Sequence, residues 1–140
     1  MPAVYTAVAT ATGEGRNGHT RSSDGRIDLD LAVPTEMGGP GGGANPELLF
    51  AAGYAACFHS ALKLVARQQK ATFTDSAVTA EVGIGPSDSG GFGLEVTLRV
   101  ELGGIDDASA EKLVEAAHGV CPYSNATRGN IPVTLETVTA

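Results

Sequence analysis

The stretch "NPELLFAAGYAACFHSALKLVARQQK", Asn45–Lys70, predicts a long helix and decides how the rest of the chain is organised. Asn45 is a favourable N-cap, Pro46 suits the first helical position, and Glu47 lies in the first turn, where the helix dipole favours an anion. Apolar and small residues recur every three or four positions, and basic residues appear only from Lys63 onward. We therefore expect a helix that is buried on most sides, at the centre of a domain or of a dimer.

The segments on both sides of this helix are rich in β-branched residues or alternate apolar with polar residues, and they predict strands. The predicted strands cover 4–12, 26–33, 76–85, 91–102 and 131–138, and a third strand before the first helix is left open. A second helix is predicted over 106–120, and it ends there because Pro122 disfavours helical geometry at the residue before it. This order predicts a single α+β domain over 1–140, with two main helices packed on a mostly antiparallel sheet.

Composition restricts the class of function and the compartment. The net charge is −7 and no basic stripe is present, which argues against nucleic acid and anionic membranes as partners. No run of apolar residues approaches the roughly 18 that a membrane span needs, and "MPAVYTAVATATGEGR" lacks the pattern of a secretory signal. We expect a cytoplasmic protein. In that reducing compartment Cys57 and Cys121, the only cysteines, are catalytic, sensing or buried thiols rather than a permanent disulfide.

Two common motifs can be set aside. "GEGRNG", Gly13–Gly18, matches GxGxxG, but a turn and a strand follow it where a dinucleotide site needs a helix, so it predicts a tight hairpin turn. For a metal, Cys57 and His59 face apart on a helix, and the pair His118 and Cys121 alone falls short of the ligands zinc requires. We expect neither a bound cofactor nor a metal.

Three longer segments resemble one family. "NPELLFAAGYAACFHSAL" and "CPYSNATRGNIPVTLE" are similar to the two signature segments of the organic hydroperoxide resistance proteins, the Ohr branch of the Ohr/OsmC superfamily. "ATGEGRNGHTRSSDGRIDLDLAVPTEMGGPGGGANPE" resembles the N-terminal part of the same family. The departures are Leu48, where the family usually has glutamine, and "GEGRNGH", where the common form is closer to Gly-Gly-Arg-x-Gly.

The resemblance covers essentially the whole chain and carries a set of expectations. It implies an Ohr/OsmC-like fold, an intertwined homodimer, and a thiol-dependent peroxidase that acts on organic hydroperoxides. Cys57 would be the thiol that attacks the peroxide, Cys121 the resolving thiol that forms a disulfide with it, and Arg16 and Glu47 the supporting ion pair. The implied reductant is a lipoyl group on a lipoylated protein, rather than thioredoxin or glutathione.

The residues themselves can be tested against that chemistry. Cys57 lies too deep in its helix for the helix dipole to act on it, and burial would raise its pKa above the ordinary value of about 8.5. A cation is therefore required; Arg16 is the candidate, with Arg21 and Arg128 as rivals. Glu47, the expected anchor, precedes Cys57 by about 15 Å along a continuous helix. Either that helix breaks, or Arg16 and Glu47 come from a partner subunit, which is the alternative we favour.

Other functions remain open from the sequence. The OsmC branch of the superfamily is a close alternative to the Ohr branch. A non-catalytic binding module would use both cysteines as packing residues, and a redox sensor would signal through its disulfide.

Overall fold

The computed structural model describes residues Met1–Ala140, which form six strands, three α-helices and two single 3₁₀ turns. The predicted α+β class is confirmed. The chain divides into two compact units, here called the N-terminal unit, Met1–Leu49, and the C-terminal unit, Phe50–Ala140. The strands lie in two three-stranded sheets rather than in the one sheet that the sequence suggested. Three of the four strand pairings are antiparallel and one is parallel.

The N-terminal unit contains an antiparallel sheet in the order β1-β2-β3. Its strands are β1 Ala9–Thr12, β2 His19–Ser22 and β3 Asp28–Asp30. The sequence left a third strand before the first helix open but did not locate β2, because its four residues, HTRS, are polar and show no alternation. The predicted strands 4–12 and 26–33 shorten to β1 and β3.

The segment GEGRNG forms the loop of the β1–β2 hairpin, as its turn-like composition predicted. The loop contains a 3₁₀ turn over Gly15–Asn17, and Thr12 pairs with His19 across its base. Gly18 is required by packing, because a Cβ at that position would lie 2.2 Å from the carbonyl oxygen of Thr12. The loop therefore carries Arg16 on a short, closed turn.

Helix α1 runs without interruption over Pro46–Gln69. It begins as predicted, because the side-chain oxygen of Asn45 accepts a hydrogen bond of 2.8 Å from the backbone N–H of Leu48. The prediction that no apolar run approaches a membrane span was wrong for this helix, whose length and mean hydropathy of 1.5 are sufficient for one. Length and hydropathy alone are weak evidence for a membrane span, since the core helices of soluble proteins meet the same two criteria. Only 28% of its most apolar window is buried in the single chain, so the expected burial on most sides is not met within one chain.

The C-terminal unit contains the second sheet, in the order β4-β5-β6. Strands β4 Ser76–Pro86 and β5 Phe92–Leu102 are antiparallel, and β6 Val133–Thr139 pairs in parallel with β5. Helix α2 covers Asp107–Val120 and packs its apolar residues into the core. The fully buried side chains of this core include Tyr54, Phe58 and Leu62 from α1, Leu98 and Val100 from β5, and Leu113 and Val114 from α2.

A corner at Cys121 separates α2 from a third helix. Cys121 adopts an extended conformation, with φ −62° and ψ 123°, and Pro122 is the first residue of α3, Pro122–Thr127. The predicted end of α2 before Pro122 is therefore confirmed. Helix α3 was not predicted, although proline is favoured at the first position of a helix. The corner places the second thiol at a point where the backbone turns.

Candidate active site

The C-terminal unit brings the two cysteines together. The Sγ atom of Cys121 lies 3.6 Å from the Sγ atom of Cys57, and both thiols are free. Cys121 is completely buried, whereas Cys57, on α1, is partly exposed. A disulfide has an S–S distance of about 2.05 Å, so the two sulfur atoms need to approach by about 1.5 Å to bond. The two thiols are thus close neighbours, but they are not bonded.

The surroundings of Cys57 disfavour its thiolate. Burial raises the pKa of the Cys57 thiol above its ordinary value, and the neighbouring Cys121 raises this pKa further. The direction agrees with the expectation from sequence. The backbone N–H of Tyr123, in the first turn of α3, acts in the opposite direction and lowers the pKa of Cys57. Sequence reasoning missed this donor because α3 was not predicted. Burial is the larger effect, so an additional positive charge is needed for a thiolate at neutral pH.

The N-terminal unit holds the other two predicted residues together. The guanidinium of Arg16 donates two hydrogen bonds of 2.8 Å to the two carboxylate oxygens of Glu47. The hydrogen bonds from Arg16 hold the pKa of Glu47 below its ordinary value, and Glu47 in turn raises the pKa of Arg16. A bidentate pair of this kind fixes the orientation of the guanidinium plane as well as its position. The structure therefore contains an Arg16–Glu47 ion pair, and the role of this pair in supporting a reaction stays a prediction.

The rival arginines have other partners. Arg21 lies beside Asp28 with an N–O distance of 3.7 Å and is exposed. Arg128 donates a hydrogen bond of 2.8 Å to the carbonyl oxygen of His118 and also contacts Asn125. Neither makes a bidentate pair with a carboxylate. Of the three candidate arginines, only Arg16 is held by two hydrogen bonds to one carboxylate.

The unbroken course of α1 decides one alternative. Glu47 and Cys57 lie on the same helix, which places them about 15 Å apart along its axis. The possibility that the helix breaks between them is therefore excluded. The alternative in which Arg16 and Glu47 act from a partner subunit remains a prediction.

Sequence reasoning also missed a group of buried hydroxyls close to the thiols along the chain. Tyr54 lies one helical turn before Cys57, and Ser124 lies one turn after Cys121. Their hydroxyls are hydrogen-bonded at 2.8 Å. The matching spacing about the two cysteines was visible in the sequence, but the pairing between Tyr54 and Ser124 was not. No group of three or more His, Cys, Asp or Glu side chains in the structure could hold a metal ion.

Comparison with known proteins defines the family. The model of the OsmC-like protein family matches residues 39–136, so the chain belongs to that family. Within it, the chain is similar to organic hydroperoxide resistance proteins. It is 56% identical over 134 residues to the organic hydroperoxide resistance protein of Xanthomonas axonopodis pv. citri, covering 94% of this chain and 93% of the relative. It is 48% identical over 135 residues to OhrB of Bacillus subtilis, covering 96% of this chain and 98% of the relative.

The fold shows the same relationship. The crystal structure of an organic hydroperoxide resistance protein from Elizabethkingia anophelis superposes with a TM-score of 0.95, at 50% identity and with 100% of each chain covered. The resemblance found in the signature segments is thus confirmed at the level of sequence family and of fold.

Proposed function

We propose that this protein protects against organic hydroperoxides as a thiol peroxidase, reducing alkyl and fatty-acid hydroperoxides to alcohols. The observation that carries the proposal is the approach of the two free thiols, Cys57 and Cys121, to 3.6 Å. The names of the relatives support the choice of organic hydroperoxides as substrate class. The partial exposure of Cys57 supports its assignment as the thiol that meets the peroxide, because Cys121 is completely buried.

The reaction begins with attack of the Cys57 thiolate on one peroxide oxygen. The O–O bond breaks, an S–O bond forms to give the sulfenic acid, and the departing alkoxide takes a proton to leave as an alcohol. Cys121 then attacks the sulfur of the sulfenic acid. The S–O bond breaks, the S–S bond forms, and the released hydroxide combines with the proton of the Cys121 thiol as water.

The role of Arg16 in this reaction is to stabilise the Cys57 thiolate and the charge that develops on the peroxide oxygens. Glu47 orients the guanidinium through its two hydrogen bonds. We place this pair opposite Cys57 of a partner subunit in an intertwined homodimer. The support is the unbroken α1 helix, which separates Glu47 from Cys57, and the burial of only 28% of the most apolar window of that helix within one chain. Association of two α1 helices would cover that surface.

The disulfide must be reduced by an external dithiol to close the cycle. Each turnover converts two thiols of the reductant to a disulfide and restores Cys57 and Cys121. Because Cys121 is inaccessible, the attacking thiolate must reach the sulfur of Cys57. A slender dithiol, such as a dihydrolipoyl arm on a lipoylated protein, suits this restricted access. Such a cycle needs a reducing compartment, which supports a cytoplasmic location.

Stopped-flow consumption of cumene hydroperoxide and linoleic acid hydroperoxide tests the proposal. Wild-type protein is expected to consume one equivalent rapidly and form the Cys57–Cys121 disulfide, whereas Cys57→Ser is expected to be inactive. Cys121→Ser should complete the first step and accumulate the sulfenic acid. Equal consumption by wild type and Cys57→Ser would refute the enzyme function. Absence of a disulfide after one equivalent of peroxide would indicate a binding module instead.

The cationic residue and the reductant are tested separately. Arg16→Ala should slow the peroxide step strongly, while Arg21→Ala should leave it near the wild-type rate. The reverse result would show that Arg21, and not Arg16, is the cation that stabilises the Cys57 thiolate. Steady-state turnover with a lipoylated protein and its reductase is expected to exceed turnover with thioredoxin or glutathione, and a preference for either of those would overturn the lipoyl assignment.

A further inference from the structure

A chain of buried hydrogen bonds joins the two cysteine-bearing elements of the C-terminal unit. The Tyr54 hydroxyl, on α1, lies 2.8 Å from the Ser124 hydroxyl and 3.0 Å from the Thr127 hydroxyl, both on α3. The Ser124 hydroxyl is also 2.8 Å from Nδ1 of His118, on α2. Tyr54 and Ser124 are fully buried and Thr127 nearly so. The side chain of Ser124, on α3, is therefore hydrogen-bonded to one side chain of α1 and one side chain of α2.

The direction of every hydrogen bond follows from counting protons. Thr127 donates its hydroxyl proton to the carbonyl oxygen of Ser124, at 3.2 Å, because a carbonyl can only accept. Tyr54 must then donate to Thr127, and Ser124 must donate to Tyr54. Ser124 has no second proton, so it accepts from Nδ1–H of His118. The order of donation is thus His118, Ser124, Tyr54, Thr127, and each hydroxyl both donates and accepts.

The chain of hydrogen bonds spans the corner at which Cys121 lies. The N–H of Cys121 donates to the carbonyl oxygen of Ala117 in α2, and the carbonyl oxygen of Cys121 accepts from the N–H of Asn125 in α3. Pro122 has no N–H, and no backbone hydrogen bond runs from α2 to α3 across the corner, so side chains must fix the angle between the two helices. The bond from His118 to Ser124 crosses the corner. A second crossing is the bond of 2.8 Å from Arg128 to the carbonyl oxygen of His118.

The hydrogen-bonded chain and the thiol pair are two parallel connections between the same elements. Tyr54 and Cys57 are one turn apart on the same face of α1, and Ser124 follows Cys121 by the same number of residues. The connections are therefore separated by about one helical turn, or roughly 5 Å along α1. A displacement of the corner that breaks the Tyr54–Ser124 bond would also move the Cys121 sulfur relative to Cys57.

We propose that Tyr54, Ser124, Thr127 and His118 are positioning residues for the disulfide step, because their hydrogen-bonded chain holds the Cys121 thiol within reach of Cys57. The proposal rests on the function above, in which Cys121 resolves the Cys57 sulfenic acid. It assigns the network to the second step and not to the attack on peroxide, since none of the four side chains bonds to the Cys57 sulfur.

A change in the second step has a chemical signature of its own. The sulfenic acid at Cys57 either reacts with Cys121 or meets another hydroperoxide molecule and becomes a sulfinic acid, which is not restored by thiols. Slower disulfide formation therefore lengthens the life of the sulfenic acid and increases the sulfinic fraction. A variant that lowers the stability of the fold but keeps Cys121 close to Cys57 would not change the ratio of disulfide to sulfinic acid.

The variants Tyr54→Phe and Ser124→Ala each remove one hydroxyl and keep the rest of the side chain. Single-turnover stopped flow should show disulfide formation slowed about tenfold in each, with the rate of the peroxide step within threefold of wild type. The sulfinic fraction at Cys57 under excess cumene hydroperoxide, measured by mass spectrometry, should rise in parallel. The slowing in the double variant should be smaller than the product of the two single effects, because both substitutions remove the Tyr54–Ser124 bond.

Conservative variants and a stability control separate positioning from folding. Thr127→Ser keeps a hydroxyl at the end of the chain and should retain the wild-type partition, whereas Thr127→Val should behave as Tyr54→Phe does. Val65→Ala removes buried volume from α1 away from the network and should lower the melting temperature without changing the partition. Equal slowing of both steps in the hydroxyl variants, or no change in the sulfinic fraction, would overturn the positioning role.

A measurement without peroxide separates this proposal from the function. The equilibrium between the Cys57–Cys121 dithiol and oxidised glutathione gives the effective concentration of Cys121 toward Cys57. It should fall about tenfold in Tyr54→Phe and Ser124→Ala relative to wild type. If wild type fails to react with hydroperoxides but this fall is seen, the network has the proposed role and the peroxidase function is refuted. An unchanged effective concentration refutes the network's role whatever the peroxide data show.

Discussion

The substitution Glu47→Gln isolates the contribution of the ion pair that orients Arg16. The wild-type carboxylate accepts two hydrogen bonds of 2.8 Å from the guanidinium. The glutamine side chain is nearly the same shape, but it is neutral and offers one acceptor oxygen beside an N–H₂ group that would face the guanidinium donors. The variant therefore removes the charge and one of the two hydrogen bonds while it preserves the start of α1.

The size of the effect can be bounded from the exposure of the pair. Hydrogen bonds to charged groups contribute about 1.5–3 kcal/mol when buried, and exposed ion pairs about 0.2–1 kcal/mol. The side chain of Arg16 is 38% exposed and that of Glu47 is 14% exposed, so the pair lies between these limits. We expect a loss of about 1–2 kcal/mol in the orientation of Arg16, which corresponds to roughly a five- to thirtyfold change.

Two measurements detect this loss. The second-order rate constant for reaction with cumene hydroperoxide at pH 7 should fall by roughly five- to thirtyfold. The pH dependence of Cys57 alkylation by iodoacetamide should move to higher pH, because a poorly held guanidinium stabilises the thiolate less. Glu36→Gln is the control, since Glu36 belongs to the same unit and is hydrogen-bonded only to its neighbour Thr35. A rate constant for Glu47→Gln within twofold of wild type would refute the anchoring role.

Two further predictions concern the stability of the N-terminal unit. Hydrogen bonds to Asp30 and Asp28 raise the pKa of His19, so the protonated form adds stability that is complete below the ordinary pKa of about 6.5 and is lost as pH rises through the raised pKa. The difference in melting temperature between wild type and His19→Gln should therefore shrink from pH 6 to pH 9, and a difference that grows would contradict this assignment. Gly18→Ala should destabilise the unit by about 1–3 kcal/mol in urea unfolding, because its Cβ would meet the backbone oxygen of Thr12. Gly119→Ala, where nothing lies within 4 Å of the new Cβ, should have no such cost.

Local features of the sequence predicted local features of the structure. The start of α1 at Asn45 and the end of α2 before Pro122 depend on single residues and their immediate neighbours, and both are confirmed. The hairpin turn at GEGRNG is confirmed for the same reason. Strand β2 and helix α3 were missed, because polar HTRS has no alternating pattern and a six-residue helix has no repeat long enough to detect.

The candidate site residues were identified from the resemblance to a family, because residue spacing alone did not distinguish Arg16 from Arg21 and Arg128. Only the folded structure shows which of these residues contact one another. Arg16 meets Glu47 across 31 residues of chain, and Cys57 meets Cys121 across 64. Composition and periodicity carry no information about which distant residues become neighbours, so neither distance could be calculated from the sequence.

By itself, the sequence determined the two long helices, the two thiols, the acidic and weakly aromatic character of the chain and, through its signature segments, its family. Only the tertiary structure decided that α1 continues unbroken past Cys57 and that the thiols lie 3.6 Å apart. It also decided that Tyr54, Ser124 and Thr127 share a buried hydrogen-bonded chain. The reason is physical: helix caps and turns depend on a few adjacent residues, whereas buried polar contacts exist only where packing brings separate elements together and excludes water.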